Sequence, residues 1–395
     1  MAYFAAKELI LLIKTDNKRL KIANLTLDGY FNYGNVLQRY AVCNLLMGLG
    51  AEVDSLWFSS QAGFLPYLQS HYPWMKDSWD WKTWVKLGIN WKGATSKLLS
   101  GREAWEAARN AGIKSFVDRY IPMRYDVDFD EVATEYDYFV VGSDQVWNPN
   151  FAGFEKFFMK FASMEKRIAY AASISSPDVP LDAMEVFIDG INGMKAISVR
   201  EQAGAELIEQ LTGRKVEVMA DPTMLVAAEK WREIARKPSW LKGDEQILTT
   251  YFLGKRPDDV INRLADEYGL KVVNILDERV FEHYAVAPEE WLWLIDNARL
   301  MYTDSFHGTV FSILFRRPFV VAERIGDGCV NKMTSRIDTL LGKFSLEDRR
   351  GTKDNGYMID NPMEIQYGDV ETVLARDSEK ADKYLRIALD LDKNN

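Results

Sequence analysis

Short apolar segments of strand length alternate with amphipathic segments of helix length along most of the chain. The strand candidates form one series at residues 21–27, 52–58, 138–141, 167–171, 195–198 and 215–219, and a second series at 246–252, 271–276, 300–303 and 319–321. Such alternation is typical of parallel sheets that carry helices on both faces. Two series in succession therefore predict an α/β protein with two doubly wound, Rossmann-like domains that face each other across a cleft.

A loop at residues 238–244 separates the two series. We therefore expect an N-terminal domain over residues 1–230 and a C-terminal domain over 231–395, whose last helix could pack back on the first domain. Residues 60–115 interrupt the alternation with candidate amphipathic helices. This insert contains six of the twelve tryptophans of the chain, at positions 74, 79, 81, 84, 91 and 105.

Charge and composition exclude several classes of protein. The formal net charge is −9, and a phosphate backbone requires a basic face, so nucleic acid is not an expected partner. Cys43 and Cys329 lie far apart and outside any metal-binding pattern, which predicts a reducing compartment and no metal. No apolar run is long enough to span a bilayer, and the apolar patch at residues 9–13 lacks a cleavage site. We therefore expect a cytoplasmic location.

A glycine-bearing loop at residues 28–38 connects the first strand candidate to the first helix. Free N–H groups at such a helix start attract anions, and glycine permits tight turns. The segment lacks both the GxGxxG spacing and the lysine of a phosphate-binding loop. Two interpretations stay open: a simple turn capped by Asn35, and a loop in which Asn35 faces a ligand.

Residues 140–149 place a carboxylate, two amides and an indole after a buried strand. These side chains are Asp144, Gln145, Asn148 and Trp147. The set suits a carbohydrate, because sugar hydroxyls need donors and acceptors while the C–H face of a sugar stacks on an aromatic ring. The alternative is a turn in which Asp144 and Asn148 cap neighbouring backbone.

His307 is the one histidine, of three in the chain, at a switch from strand to helix. Ser305 is the predicted N-cap of that helix, and Gly308 leaves room beside the imidazole. An imidazole next to free helix N–H groups suits proton transfer involving an anionic ligand. The alternative is a structural histidine.

Arg200 follows another strand end. Its guanidinium could bind a carboxylate or phosphate through two hydrogen bonds, or form a salt bridge with the adjacent Glu201. Asp221 follows the next strand, and we expect it to order the turn at that point.

Five segments, at residues 32–38, 141–149, 198–201, 221–223 and 303–308, together resemble the polysaccharide pyruvyltransferase family. They occur in family order within residues 21–345, and the second and fifth are the specific ones. The resemblance implies a fold like that of the two-domain GT-B glycosyltransferases. It also implies an enzyme that transfers pyruvyl from phosphoenolpyruvate to a sugar of a cell-surface polysaccharide or its lipid-linked precursor, forming a cyclic ketal.

The resemblance further implies roles for the site residues. His307 would be the acid/base, Arg200 would hold the anionic groups of the donor, and Asp144 would act as a base on the acceptor side. The residues expected to line the donor site are Ser305, Gly308, Thr309 and Asn35. Those expected at the acceptor are Gln145, Trp147 and Asn148. The reaction needs no metal and no cofactor.

One departure from the family pattern concerns the donor site. Many members carry an arginine two residues before the histidine, where this chain has Ser305. The side chains that could supply the missing charge are Arg316, Arg317, Arg324, Lys166 and Arg167.

Two other functions stay open at this stage. A GT-B glycosyltransferase with a nucleotide-sugar donor would share the architecture. A non-catalytic carbohydrate-binding protein would make use of the tryptophan-rich insert. A lipid-linked acceptor would favour peripheral contact with a membrane.

Overall fold

The computed structural model describes residues 19–29, 32–57, 101–125, 127–324 and 334–394. Most of the tryptophan-rich insert lies outside these ranges, as do Cys329 and His71. Of the six tryptophans in the insert, Trp105 is the one within them, on a helix.

Seven parallel strands form the first sheet. They are β1 (Lys21–Leu25), β2 (Glu52–Leu56), β3 (Met123–Arg124), β4 (Tyr138–Val141), β5 (Arg167–Ala172), β6 (Ala196–Val199) and β7 (Glu217–Val218). Their spatial order is β3-β2-β1-β4-β5-β6-β7. The direction of winding reverses between β1 and β4, where Leu25 pairs with Val141. The loops after these two strands are therefore neighbours at the edge where doubly wound sheets bind ligands.

Five parallel strands form the second sheet. They are β8 (Ile247–Tyr251), β9 (Lys271–Ile275), β10 (Ala298–Thr303), β11 (Phe319–Ala322) and β12 (Arg350–Gly351). Their order is β12-β11-β10-β8-β9, with the reversal between β8 and β10. Two doubly wound sheets confirm the predicted fold class, a pair of Rossmann-like α/β halves in a GT-B-like arrangement. The two-residue strands β3 and β12 were not predicted, because neither lies within an apolar run of strand length.

The helices of the described residues connect and cover the strands. They are α1 (Tyr33–Gly48), α2 (Gly101–Tyr120), α3 (Phe129–Glu135), α4 (Leu181–Asn192), α5 (Gln202–Thr212), α6 (Ala228–Ile234), α7 (Asp258–Tyr268), α8 (Phe281–Tyr284), α9 (Pro288–Asp296), α10 (Phe306–Leu314), α11 (Thr334–Phe344) and α12 (Val370–Ala388). Single 3-10 turns lie at Phe154–Phe158, Met164–Lys166, Pro222–Leu225, Glu347–Arg349 and Leu391–Asn394.

Helix α1 starts earlier than its sequence pattern suggested. Its N-cap is Asn32, whose side chain accepts a hydrogen bond of 2.8 Å from the Gly34 amide. Asn35 is therefore inside the helix and does not cap it. Capping by Asn32 leaves the Asn35 side chain available for contacts across the sheet edge.

One apolar core joins the two halves. It contains buried side chains of α1, such as Tyr33, together with Trp231, Trp291 and Phe311 from the second half of the chain. Tyr33 stacks on Trp291 with ring centroids 5.7 Å apart, and its hydroxyl donates to the Val286 carbonyl at 2.7 Å. Burial of large aromatic rings from both halves in one cluster fixes the loops of the first sheet against those of the second.

The last helix, α12, contacts the first sheet. The Tyr384 hydroxyl donates to the Ala169 carbonyl of β5 at 2.7 Å, and Lys195 Nζ donates to the Ala388 carbonyl at 2.7 Å. The division of the chain near residue 230 stays a prediction.

Candidate active site

Four polar side chains from four different strand ends meet between the two sheets. Asp144 follows β4, Arg200 follows β6, Asp221 follows β7 and His307 follows β10. Arg200 Nη2 lies 3.9 Å from Asp144 Oδ1, and Arg200 Nη1 lies 2.6 Å from Asp221 Oδ2. His307 Nε2 lies 3.5 Å from the same Asp221 oxygen. The expected convergence of motif residues at the strand ends is therefore present.

Asp221 is the centre of this cluster, with a side chain that has no exposed surface. It does order its turn as expected, since Oδ1 accepts from the Thr223 amide at 3.0 Å and from the Thr223 hydroxyl at 2.6 Å. Its other oxygen accepts from Arg200 and from Ser143 Oγ at 3.1 Å. Burial alone would raise the pKa of this carboxyl, but His307, Arg200 and Thr223 outweigh it and hold the pKa well below its usual range.

Arg200 pairs with Asp221 and not with the adjacent Glu201. Glu201 Oε1 instead accepts from Ser173 Oγ at 3.1 Å and from the Ile174 amide at 2.8 Å. The Arg200 residue is 4% exposed, and its guanidinium carbon lies 4.5 Å from the centroid of the Phe306 ring. Two of its nitrogens, Nε and Nη2, have no hydrogen-bond partner among the described residues. A buried guanidinium with unused donors is suited to binding an anion.

His307 lies in the first turn of α10, which Ser305 caps as predicted, its hydroxyl accepting from the Gly308 amide at 3.3 Å. The imidazole packs against Gly34 of α1, where a β-carbon would lie 2.1 Å from His307 Nδ1. His307 Nε2 is buried and makes no hydrogen bond within the described ranges. The ring is thus fixed by packing while one nitrogen stays available for a ligand.

The other residues expected at the donor differ in their placement. Asn35 reaches the cluster, since its Nδ2 donates to the Leu27 carbonyl at 3.0 Å and to Asp144 Oδ2 at 3.3 Å. Thr309 is buried and its hydroxyl donates to the Ser305 carbonyl at 3.0 Å. A β-carbon at Gly308 would lie 2.8 Å from Thr303 Oγ1, so Gly308 serves packing between α10 and β10.

A pocket of about 320 Å³ opens beside Asp144. It is lined by Leu27, Asp28, Asn32, Asp144, Gln145, Phe151, Ala152, Phe154, Lys156 and Phe157. Of the residues expected at the acceptor, Gln145 is the one in this lining. Phe151, which is 42% exposed, was missed because nothing in its local pattern sets it apart from a core phenylalanine.

Trp147 and Asn148 lie away from the pocket lining. Trp147 is fully buried and stacks on Phe158 with ring centroids 5.5 Å apart. Asn148 caps backbone, as the alternative interpretation had it, because its Oδ1 accepts from the Asn150 amide at 3.0 Å. Its Nδ2 donates to Gln145 Oε1 at 3.3 Å, so it orients the glutamine.

The cations considered as replacements for the missing arginine have other partners. Arg316 pairs with Glu371, Arg317 Nη2 lies 3.3 Å from Asp296 Oδ1, and Arg324 Nε lies 2.9 Å from Asp304 Oδ2. Lys166 and Arg167 donate to backbone carbonyls, Lys166 to that of Tyr136 and Arg167 to that of Ala162.

Arg336 of α11 was not considered from the sequence, yet its guanidinium carbon lies 5.7 Å from the Phe306 ring centroid. Phe306 thus has both Arg200 and Arg336 next to it. The only signal in the sequence is an arginine on a helix, which is usually a surface residue.

The described ranges contain no group of three or more His, Cys, Asp or Glu side chains arranged to hold a metal ion. None of the helices in those ranges combines the length and the apolar character needed to span a bilayer.

No curated protein sequence matches the chain. Among solved structures, it is similar to UDP-GlcNAc 2-epimerase from Neisseria meningitidis, with 11% identity, 91% of this chain and 100% of that chain covered, and a TM-score of 0.39. It is also similar to the glycosyltransferase SnogD from Streptomyces nogalater, with 12% identity, 95% of this chain and 99% of that chain covered, and a TM-score of 0.42. The model of the family described as polysaccharide pyruvyl transferase matches residues 32–324, which is most of the chain. The chain therefore belongs to the polysaccharide pyruvyl transferase family.

Proposed function

We propose that this enzyme transfers pyruvyl from phosphoenolpyruvate to two hydroxyls of a sugar and forms a cyclic ketal. The observation that carries the proposal is the pairing of two features in one buried cluster. Among the described residues, Arg200 has donors without a hydrogen-bond partner and His307 has a ring nitrogen without one, and Asp221 lies between them. An anionic donor that must be protonated during reaction requires this combination of fixed positive charge and a proton carrier.

The proposed chemistry begins with protonation of the methylene carbon of phosphoenolpyruvate, which creates a cationic centre at the neighbouring carbon. One sugar hydroxyl bonds to that centre and gives up its proton. Phosphate then leaves with the electron pair of its C–O bond, and the second hydroxyl closes the ketal and gives up its proton in turn. The new methyl group has gained one hydrogen, and inorganic phosphate is the second product.

In this proposal His307 donates the proton from Nε2, which has no hydrogen-bond partner among the described residues. The Asp221 carboxylate, 3.5 Å away, stabilises the protonated imidazole. Arg200 binds an anionic group of the donor through Nε and Nη2, and the free N–H groups at the start of α10 add to the positive field.

On the acceptor side, the pocket beside Asp144 would hold the sugar. Asp144 would take the hydroxyl proton, and its hydrogen bond from Asn35 orients it for that role. Gln145 would bond a hydroxyl, and Phe151 would offer the aromatic face that we expected from Trp147. We propose a cytoplasmic reaction on a cell-surface polysaccharide precursor, which a lipid-linked acceptor would bring to the membrane surface.

The test is phosphate release from phosphoenolpyruvate in the presence of a panel of acceptor glycosides, with the acceptor mass followed in parallel. We expect release that depends on acceptor and a product that carries a pyruvyl ketal. A parallel panel of nucleotide sugars tests the glycosyltransferase alternative. Sugar transfer from a nucleotide donor, without any reaction of phosphoenolpyruvate, would overturn the proposal.

A further inference from the structure

We propose that Arg336 is the second anion-binding guanidinium of this site and that it binds the phosphate group of the donor, while Arg200 binds the carboxylate. The inference rests on the proposed function for the identity of the donor. It concerns a residue of α11, outside every motif that the sequence singled out.

Arg336 is 6% exposed, and its guanidinium carbon lies 5.7 Å from the Phe306 ring centroid. Among the residues that the structure describes, its buried Nε has no hydrogen-bond partner and its guanidinium forms no ion pair. An isolated buried cation is costly, because the cost of removing it from water is not offset by an opposite charge. A buried cation of this kind is expected at a functional site, where a bound ligand supplies the anion.

Arg200 increases that cost. Burial, followed by the charge of Arg200, lowers the pKa of the Arg336 guanidinium to about 9, although Glu201 and Asp144 act in the opposite direction. The guanidinium therefore stays charged at neutral pH. The two cations share the Phe306 ring. The Arg200 guanidinium has the Asp221 and Asp144 carboxylates beside it, whereas Arg336 forms an ion pair with no described carboxylate, so the positive charge left for a ligand to neutralise is that of Arg336.

The two guanidinium groups differ in how much of their charge is already neutralised. Arg200 lies 2.6 Å from the Asp221 carboxylate and 3.9 Å from that of Asp144. Arg336 has no such pair with any carboxylate that the structure describes. The more highly charged phosphate should therefore lie at Arg336 and the singly charged carboxylate at Arg200, because attraction grows with the product of the charges.

The experiment measures binding of three probes, namely inorganic phosphate, pyruvate and phosphoenolpyruvate, to the full-length protein by calorimetry. The variants are Arg336→Gln, Arg336→Lys and, as a matched control, Arg349→Gln. Arg349 is also buried, at 5% exposure, but it bonds the Asp348 side chain and the Glu364 carbonyl. We expect Arg336→Gln to weaken phosphate and phosphoenolpyruvate roughly 10- to 100-fold, the range for a lost hydrogen bond to a charged group. Pyruvate affinity should stay unchanged, Arg336→Lys should recover part of the loss, and Arg349→Gln should bind all three probes normally.

A melting curve separates ligand binding from a purely structural role. Arg336→Met removes a buried charge without a partner, so the ligand-free variant should melt at or above the wild-type temperature, and added phosphate should no longer raise that temperature. A lower melting temperature with phosphate binding retained, or equal phosphate affinity in Arg336→Gln and wild type, would overturn the inference. Phosphate binding that depends on Arg336, in a protein that does not use phosphoenolpyruvate, would leave the inference standing and contradict the proposed function instead.

Discussion

The imidazole of His307 lies so close to the α-carbon of Gly34 that a β-carbon there would be 2.1 Å from Nδ1. The two residues lie on helices that follow strands of different sheets. Helix α1 follows β1 of the first sheet, and α10 follows β10 of the second. The first half of the chain therefore provides the surface against which the histidine of the second half is held. Gly34, in the segment Asn32-Tyr33-Gly34, therefore has a role in the site, because it leaves room for the imidazole.

Gly34→Ala should displace the imidazole, because the added methyl group overlaps the ring and not a flexible chain end. We expect turnover to fall by about 100-fold, the cost of a misplacement of roughly 1 Å at a reacting group. The matched control is Gly48→Ala on the same helix, where an added β-carbon meets no atom within 4 Å. That variant should keep full turnover and gain up to about 1 kcal/mol of stability. Equal turnover rates in the two variants would show that Gly34 does not position the imidazole.

Arg200→Met should lower the free energy of unfolding by roughly 3–5 kcal/mol, since it leaves the Asp221 carboxylate buried without its cation. Denaturant titration measures this loss. The double variant with Asp221→Asn should lose less than the sum of the two single variants, because each single change disrupts the same pair. The control is Arg232→Met at the partly exposed pair with Asp296, which should cost under about 1 kcal/mol. Strict additivity at positions 200 and 221 would contradict the pairing.

Stability should fall in acid in a way that depends on Asp221. The folded carboxyl has a lowered pKa, so its contribution is present above the unfolded pKa of about 3.9 and is lost as the pH falls below that value. The stability difference between wild type and Asp221→Asn should therefore narrow between about pH 4 and pH 2 in urea titrations. A difference that stays the same down to pH 2 would show that the Asp221 charge is not linked to folding.

Two aromatic substitutions should separate the acceptor site from the core. Trp147→Ala should cost roughly 3–5 kcal/mol of stability, because the indole is fully buried against Phe158. Phe151→Ala should change stability little, since the ring is 42% exposed at the pocket. It should raise the KM for the acceptor about 3- to 10-fold, the usual range for an aromatic contact. If Trp147→Ala instead kept its stability and bound the acceptor weakly, Trp147 and not Phe151 would be the aromatic residue that contacts the acceptor.

Strand ends were predictable from the sequence because buried parallel strands leave continuous apolar runs, and the residues after them must meet at one edge. Asp144, Arg200 and His307 were found in this way, each directly after such a run. The position of Asp221 was also visible, but its contact with Arg200 and His307 depends on how the two sheets face each other. Local pattern does not contain that information.

Arg336 and Phe151 show more clearly what a sequence pattern cannot identify. Neither follows a strand that the sequence pattern identified, and an arginine or phenylalanine on its own has no distinctive spacing. Trp147 is the opposite case: it was expected at the acceptor, and its indole is buried in the core, because an indole suits a sugar and a core equally well. Only packing against Phe158 distinguishes the two.

In the proposed reaction, His307 delivers the proton that turns the donor methylene into a methyl group. The direct measurement is turnover in deuterium oxide, with the ketal product analysed by mass spectrometry and NMR, for wild type, His307→Asn and the control His283→Asn. His283 packs against Trp240 with ring centroids 5.0 Å apart, outside the pocket and the cluster. We expect wild type and His283→Asn to place one deuterium in the ketal methyl at similar rates, and His307→Asn to be slower by about 10²–10⁴ with its fold intact. A His307→Asn variant that forms the deuterated ketal at the wild-type rate would contradict the claim.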